Sequence, residues 1–168
     1  GSFHEMGAAA GVAERNDDGS LKSFTPANFV LGFGAIDGRR CVVGGEDFTL
    51  RGGSPNESGL RKSIYAEDLA CQYRVPLIRM HEGGGGSVTG AGGKTVGNSP
   101  SAPPRFRSVA RALATVPVVT AALGPVAGLP ASRLVASHFS VMTKETAQVL
   151  IAGPAVVERA LREKKTKE

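Results

Sequence analysis

Two glycine-rich segments, His81-Glu82-Gly83-Gly84-Gly85-Gly86-Ser87 and Gly124-Pro125-Val126-Ala127-Gly128-Leu129-Pro130, constrain this chain most. Each follows a run that reads as a buried β-strand, Val75 to Met80 and Val116 to Leu123, and a helix-like stretch lies between them. Strand, glycine turn, helix, strand, glycine turn is the order by which α/β enzymes build sites at the carboxyl ends of their strands. Two such loops can aim backbone N–H groups at one oxyanion.

Composition narrows the class. The 168 residues, 41% hydrophobic and 21% charged, suffice for one globular domain with a sizeable core. The 23 glycines, 10 prolines and absence of Trp suit a loop-built site better than a base-stacking surface, which disfavours nucleic acid as a partner. The net charge of +5 is scattered, and Lys164 to Glu168 reads as a solvated end. Cys41 and Cys71 form no CxxC, so a zinc ribbon is excluded, no metal site is expected, and both read as small core residues in a reducing compartment. No stretch approaches 18 apolar residues and no secretory pattern opens the chain. A soluble cytoplasmic protein is expected, with the mitochondrial matrix left open.

Along the chain, residues 1 to 27 read as a polar lead-in with a turn at Asn16-Asp17-Asp18-Gly19, and the domain proper as 28 to 168. Strand-like runs at Phe29 to Ile36 and Arg40 to Val43 flank Asp37-Gly38, a hairpin turn signal. A third run is read at Asp47 to Leu50. Ser54-Pro55-Asn56-Glu57 has the residues of a helix start, with Ser54 as cap, and the helix runs to about Tyr73. Helices at 105 to 115, 131 to 137 and from Pro154 to about Lys164, with strands at Phe139 to Met142 and Gln148 to Ile151, complete a layered α/β reading with a mainly parallel sheet. The segment Ser87 to Pro104 has no periodicity and reads as a long functional loop. Its Gly93-Lys94-Thr95 is no phosphate loop, because Val88 stands where the motif needs glycine.

Side-chain chemistry is sparse. A Ser–His hydrolase built on His81 and Ser87 lacks the G-x-S-x-G elbow and a rigid scaffold, and His138 reads as structural. Glu82 is open to two readings, a general base beside the oxyanion donors or a residue that orients the glycine turn.

The succession Gly45-Glu46-Asp47-Phe48-Thr49-Leu50-Arg51-Gly52-Gly53-Ser54, Val75 to Ile78, the glycine run, Gly124 to Gly128, and Leu150-Ile151-Ala152-Gly153-Pro154-Ala155-Val156-Val157 resembles the β-subunit carboxyltransferases of biotin-dependent acyl-CoA carboxylases. That resemblance implies a crotonase-like ββα spiral domain. It implies transfer of CO2 from carboxybiotin, carried on a partner protein or domain, to the α-carbon of an acyl-CoA, with the enolate in a backbone oxyanion hole. Gly84, Gly85 and Gly128 are then the implied oxyanion residues, and Arg51, Gly52, Gly53, Ser54, Gly83, Gly86, Gly124, Pro125 and Ala127 the implied acyl-CoA contacts. A biotin carboxylase or biotin carrier subunit and a homo-oligomeric ring of dimers are the implied partners, with no membrane. His81-Glu82 stand where the family commonly has Asp-Ser, so acyl specificity does not carry over. Compared with the family, the chain reads as a first domain cut at both ends, lacking the biotin-side domain and so inactive alone. The alternatives are an acyl-CoA decarboxylase subunit that runs the transfer in reverse, or a non-catalytic CoA-binding or assembly module.

Overall fold

In the computed structural model, residues 2–85 and 105–164 are described. Gly86 and the 87–104 segment, including the rejected phosphate-loop residues, lie outside them. The strands are β1 His4–Glu5, β2 Gly11–Arg15, β3 Leu21–Pro26, β4 Phe29–Ile36, β5 Arg39–Glu46, β6 Leu77–Gly83, β7 Val118–Ala127, β8 Phe139–Met142 and β9 Gln148–Leu150. The helices are α1 Glu57–Tyr73, α2 Arg105–Thr115, α3 Leu129–Val135 and α4 Pro154–Leu161.

One sheet carries the fold in the order β1-β4-β5-β6-β7-β8, with β9 also on β7. β4 and β5 form the antiparallel hairpin expected at Asp37-Gly38, where both residues take positive φ, 50° and 75°. From β5 onward every pairing is parallel. β8 takes the first half of β7 (Val119 to Ala122) and β9 the second (Pro125 to Ala127), so one long strand organises that edge. This is the crotonase-like α/β arrangement. The lead-in is not featureless: β1 joins the main sheet, and β2 and β3 form a separate hairpin around the 16–19 turn.

Alternation along the strands sends one set of side chains under the helices. Phe29, Leu31, Phe33, Val42, Leu77 and Val118 meet Ala66, Leu69 and Ala70 of α1 and Ala112 of α2 in the main core. Full burial of a Leu contributes about 1.5 to 3 kcal/mol, so Leu31, Leu69 and Leu77, each at most 1% exposed, fix how α1 sits on the sheet. Cys41 is buried and Cys71 half-buried, both as free thiols, and burial pushes the Cys41 thiol up. The opposite sheet face, with Val30, Val43, Met80 and Leu123, borders an open cavity of about 570 Å3.

Several boundaries differ from the sequence reading. Asp47 to Leu50 is a turn rather than a strand: Asp47 Oδ1 accepts from Thr49 N–H at 3.0 Å, a side-chain bond that competes with a ladder. Asn56, not Ser54, caps α1, its side chain accepting from Gly59 N–H at 2.7 Å. Gly124-Pro125-Val126-Ala127 is not a loop but the second half of β7, because β6 and β9 flank it on either side. Proline is tolerated there because the β6–β7 register shifts between His81 and Gly83, and Pro125 has no partner on β6.

Candidate functional site

Three chain segments meet backbone to backbone at the carboxyl ends of β5, β6 and β7. The first is the short 3-10 turn Arg51–Gly53, in which all three residues have positive φ, at 58°, 58° and 71°. The second is Gly83-Gly84-Gly85 at the end of β6, with Gly83 at φ 137°. The third is Gly128, at φ 65°, between β7 and α3. A Cβ on Gly83 would lie 2.6 Å from Gly53 Cα, and one on Gly85 would lie 3.0 Å from Gly128 Cα. These contacts exist only because no side chain intervenes.

Of the residues expected at the site, Gly52, Gly53, Gly83, Gly84, Gly85 and Gly128 are therefore brought together. Gly84 N–H donates to Gly52 O at 3.4 Å, tying the turn after β6 to the 51–53 turn, and leaves Gly85 as the neighbour of Gly128. Arg51 is exposed on the rim. Ser54 is buried at the end of the 3-10 turn, its N–H donating to Arg51 O at 3.2 Å and its carbonyl accepting from Asn28 Nδ2 at 2.7 Å. Gly124, Pro125 and Ala127 stand in β7: a Cβ on Gly124 would meet the Glu82 side chain, so Gly124 makes room for that carboxylate. Glu82 borders the 570 Å3 cavity on the open sheet face, packed over Gly124. His138 is structural, its Nδ1 accepting from Val118 N–H at 3.1 Å.

Beneath the glycines lies an ionic layer that sequence reasoning missed. Arg79 of β6 and Arg133 of α3, 2% and 3% exposed, both pair with Glu67 of α1, the second at 3.2 Å. Ser108 Oγ also donates to Glu67, and Ser63 accepts from both arginines, through its carbonyl at 3.1 Å and its hydroxyl at 3.0 Å. Burial first, and then the neighbouring Arg79 charge, push Arg133 down to about 10. His81 Nδ1 meets the Glu46 carboxylate at 3.1 and 3.2 Å, and Glu82 N–H donates to the same carboxylate at 3.4 Å. Asn28, 1% exposed, holds the loop leading to α1: its Oδ1 accepts from Asn56 N–H at 3.0 Å. A signal for the layer was present. Leu77, Arg79 and His81 alternate on one face of β6, so two ionisable groups occupy core positions and require partners.

Among the described residues no three His, Cys, Asp or Glu side chains converge as a metal site, and no helix is long and apolar enough to cross a membrane. The model of the carboxyl transferase domain matches residues 1–168. This chain belongs to the carboxyl transferase domain family. Among relatives of this carboxyl transferase domain, the methylmalonyl-CoA decarboxylase subunit alpha of Veillonella parvula is 30% identical over 139 residues, 83% of this chain and 26% of that protein. The propionyl-CoA carboxylase beta chain of Cereibacter sphaeroides is 29% identical over 170 residues, all of this chain and 32% of that protein. Among solved structures, a single-chain, multi-domain long-chain acyl-CoA carboxylase matches at TM-score 0.78 and 25% identity, over all of this chain and 17% of that one. The transcarboxylase 12S hexamer, solved with methylmalonyl-CoA and methylmalonic acid bound, matches at TM-score 0.71 and 26% identity over 99% of this chain and 32% of that one. The chain thus spans about a third or less of the curated relatives it matches.

Proposed function

We propose that this chain provides the acyl-CoA side of a biotin-dependent carboxyl transfer, with Gly85 and Gly128 as the backbone donors of the oxyanion hole and Gly84 as the residue that fixes the turn. The approach of Gly85 to Gly128 carries this reading: a Cβ on Gly128 would lie 3.1 Å from Gly85 Cα, so the ends of β6 and β7 come together backbone to backbone. A planar thioester fits such a surface. Its carbonyl oxygen gains negative charge when the α-carbon loses its proton, and preorganised N–H groups stabilise that charge without reorganising; one such donor contributes roughly 3 kcal/mol. The α-carbon would then form its new C–C bond to the carboxyl carbon as the N–C bond of the partner-borne carboxylated biotin breaks, and the proton lost from the α-carbon would pass to the nitrogen so released.

As the resemblance to biotin-dependent carboxylases implies, biotin would be carried on a partner protein or domain and would supply the carboxyl group in activated form. This chain's residues bind and orient the thioester: the 51–54 turn, with Arg51 on its exposed rim, borders the entry, while Gly53 and Gly83 lock together behind it. A biotin carboxylase or biotin carrier subunit, and assembly with further copies as in the 12S hexamer, follow as proposed partners. The similarity to a decarboxylase subunit favours one second reading, the same transfer run in reverse, since microscopic reversibility uses the same oxyanion hole.

Calorimetric titration of the chain with CoA, acetyl-CoA and propionyl-CoA tests the site. At least one thioester is expected to bind about tenfold more tightly than CoA, a difference of 1.4 kcal/mol, and Gly85→Ala should erase that preference while circular dichroism remains native. Equal binding of thioesters and free CoA by the folded wild-type chain would refute the reading.

A further inference from the structure

The exposed apolar side chains of the main sheet gather on one of its faces. Helices α1 and α3 cover the other, where they meet Leu77, Val118, Ala122 and Val126. Uncovered stand Val30 and Ile36 of β4, Met80 of β6, Leu123 of β7, and Phe139 and Val141 of β8, each between 40% and 62% exposed. Register aligns them: Val30 pairs with Gly45, Gly45 with Met80, Met80 with Ala121 and Ala121 with Val141, so a single row crosses from β4 to β8 on the same side. The cavity of about 570 Å3 is sunk in this face. Parallel sheets bear apolar side chains on both faces and bury both, so the open face calls for a covering layer.

Two charges indicate which layer fits. Arg39 opens β5 on this face, alternating with Cys41 and Val43, and Glu82 stands on it near the end of β6, alternating with Met80. Neither is ion-paired among the described residues. We propose that the open face is the docking surface of a second copy of this chain, packed sheet against sheet with antiparallel strands, Arg39 of each copy meeting Glu82 of the other. The two-fold axis lies between the sheets and crosses the strands at Val43 and Ile78, register partners midway between the levels of Arg39 and Glu82. Each guanidinium then stands one strand, about 4.8 Å, to the side of its carboxylate, within reach of an arginine side chain. The area also suffices. With about half of the roughly 150 to 250 Å2 of a large side chain left open at each position, Phe3 included, each copy offers on the order of 600 Å2. Two copies bury about 1,200 Å2, the lower bound of a specific interface. A lone apolar molecule would fill the cavity but leave Arg39 and Glu82, at opposite ends of the face, without a common partner. This docking goes beyond the proposed function, which names further copies as partners but no surface, and it needs no acyl-CoA.

The experiment is sedimentation equilibrium of the full chain without CoA, from about 1 to 100 μM, with circular dichroism to confirm folding. The wild-type chain is expected to be a dimer at the upper end of that range. Arg39→Glu and Glu82→Arg should each weaken the dimer by roughly tenfold or more, because like charges then face each other twice, and the double exchange Arg39→Glu/Glu82→Arg should restore it. Val141→Lys, at an exposed position of the same face, should also weaken it, and this variant decides together with Arg39→Glu if Glu82→Arg does not fold. A folded wild-type chain that stays monomeric at 100 μM would overturn the proposal. So would a dimer that Arg39→Glu and Val141→Lys leave unchanged, or one that the double exchange fails to restore, since each places the contact elsewhere. A monomer that binds decanoyl-CoA more tightly than CoA would assign the face to an acyl chain and overturn it as well. Because the dimer is measured without thioester, its failure and that of the acyl-CoA reading remain separate results.

Discussion

At the scale of single residues, neighbouring glycines carry different burdens. Gly52 and Gly53 both have positive φ, but a Cβ on Gly52 meets nothing within 4 Å, whereas one on Gly53 would lie 2.8 Å from Gly83 Cα. Gly52→Ala therefore costs only the left-handed conformation, about 1 to 2 kcal/mol. Gly53→Ala adds overpacking against rigid backbone, for a total of about 2 to 5 kcal/mol. Urea titration of the two variants should show the larger loss at Gly53, and equal losses would mean that the 51–53 and 83–85 turns do not touch. Both glycines were marked from sequence as site residues by family pattern, but their unequal roles were not, since the pattern says nothing about which one faces a second backbone.

At the scale of elements, α1 illustrates how a local signal is re-read by its surroundings. Ser54, Pro55 and Asn56 are all plausible at a helix start. Asn28, buried between strand and loop, accepts from Asn56 N–H and donates to Ser54 O, which pulls Ser54 into the preceding turn and leaves Asn56 as the cap. The helix ends with Arg74 in the left-handed conformation at φ 53°, its N–H bonded to Cys71 O at 3.3 Å, just before Pro76. Asn56→Ala should lower stability by about 0.5 to 2 kcal/mol, with Asn56→Asp recovering most of it, as read by thermal unfolding followed by circular dichroism. No loss on Asn56→Ala would return the cap to another residue. The β7 boundary moved for a related reason: Gly124 and Pro125 look like a turn by composition, yet strands on both sides supply the ladder that local propensity does not.

At the scale of the whole molecule, the Arg79–Glu67–Arg133 layer joins the sheet, α1 and α3 across 12 to 66 residues of sequence, counting 79 − 67 and 133 − 67. Neutralising its shared acid leaves two buried arginines without their counter-charge. Glu67→Gln should cost about 3 to 5 kcal/mol, enough to move the urea midpoint clearly, and more than the loss of an exposed pair such as Arg61–Glu57, which is worth about 0 to 1 kcal/mol. A loss on Glu67→Gln as small as that of the surface pair would show that the arginines find water or other acceptors. This layer lies directly below the elements that bear Gly83 to Gly85 and Gly128, so its integrity and the geometry of the glycine surface are expected to fail together.

By itself the sequence determined the kind of fold and the place of its glycine surface. The hairpin at Asp37-Gly38, the α1 and α2 spans, β8 and the parallel α/β order are all local patterns of period 2 or 3.6 bounded by turn residues, and such patterns are written in neighbouring residues. Tertiary structure alone decided which glycines touch, that Gly124 to Ala127 extend a strand, that Glu67 gathers Arg79 and Arg133 into one buried cluster, and that Glu46 pairs with His81. Those outcomes depend on backbones and charges that approach from distant parts of the chain. Burial makes each approach either impossible or obligatory, a constraint that spacing along the sequence cannot express.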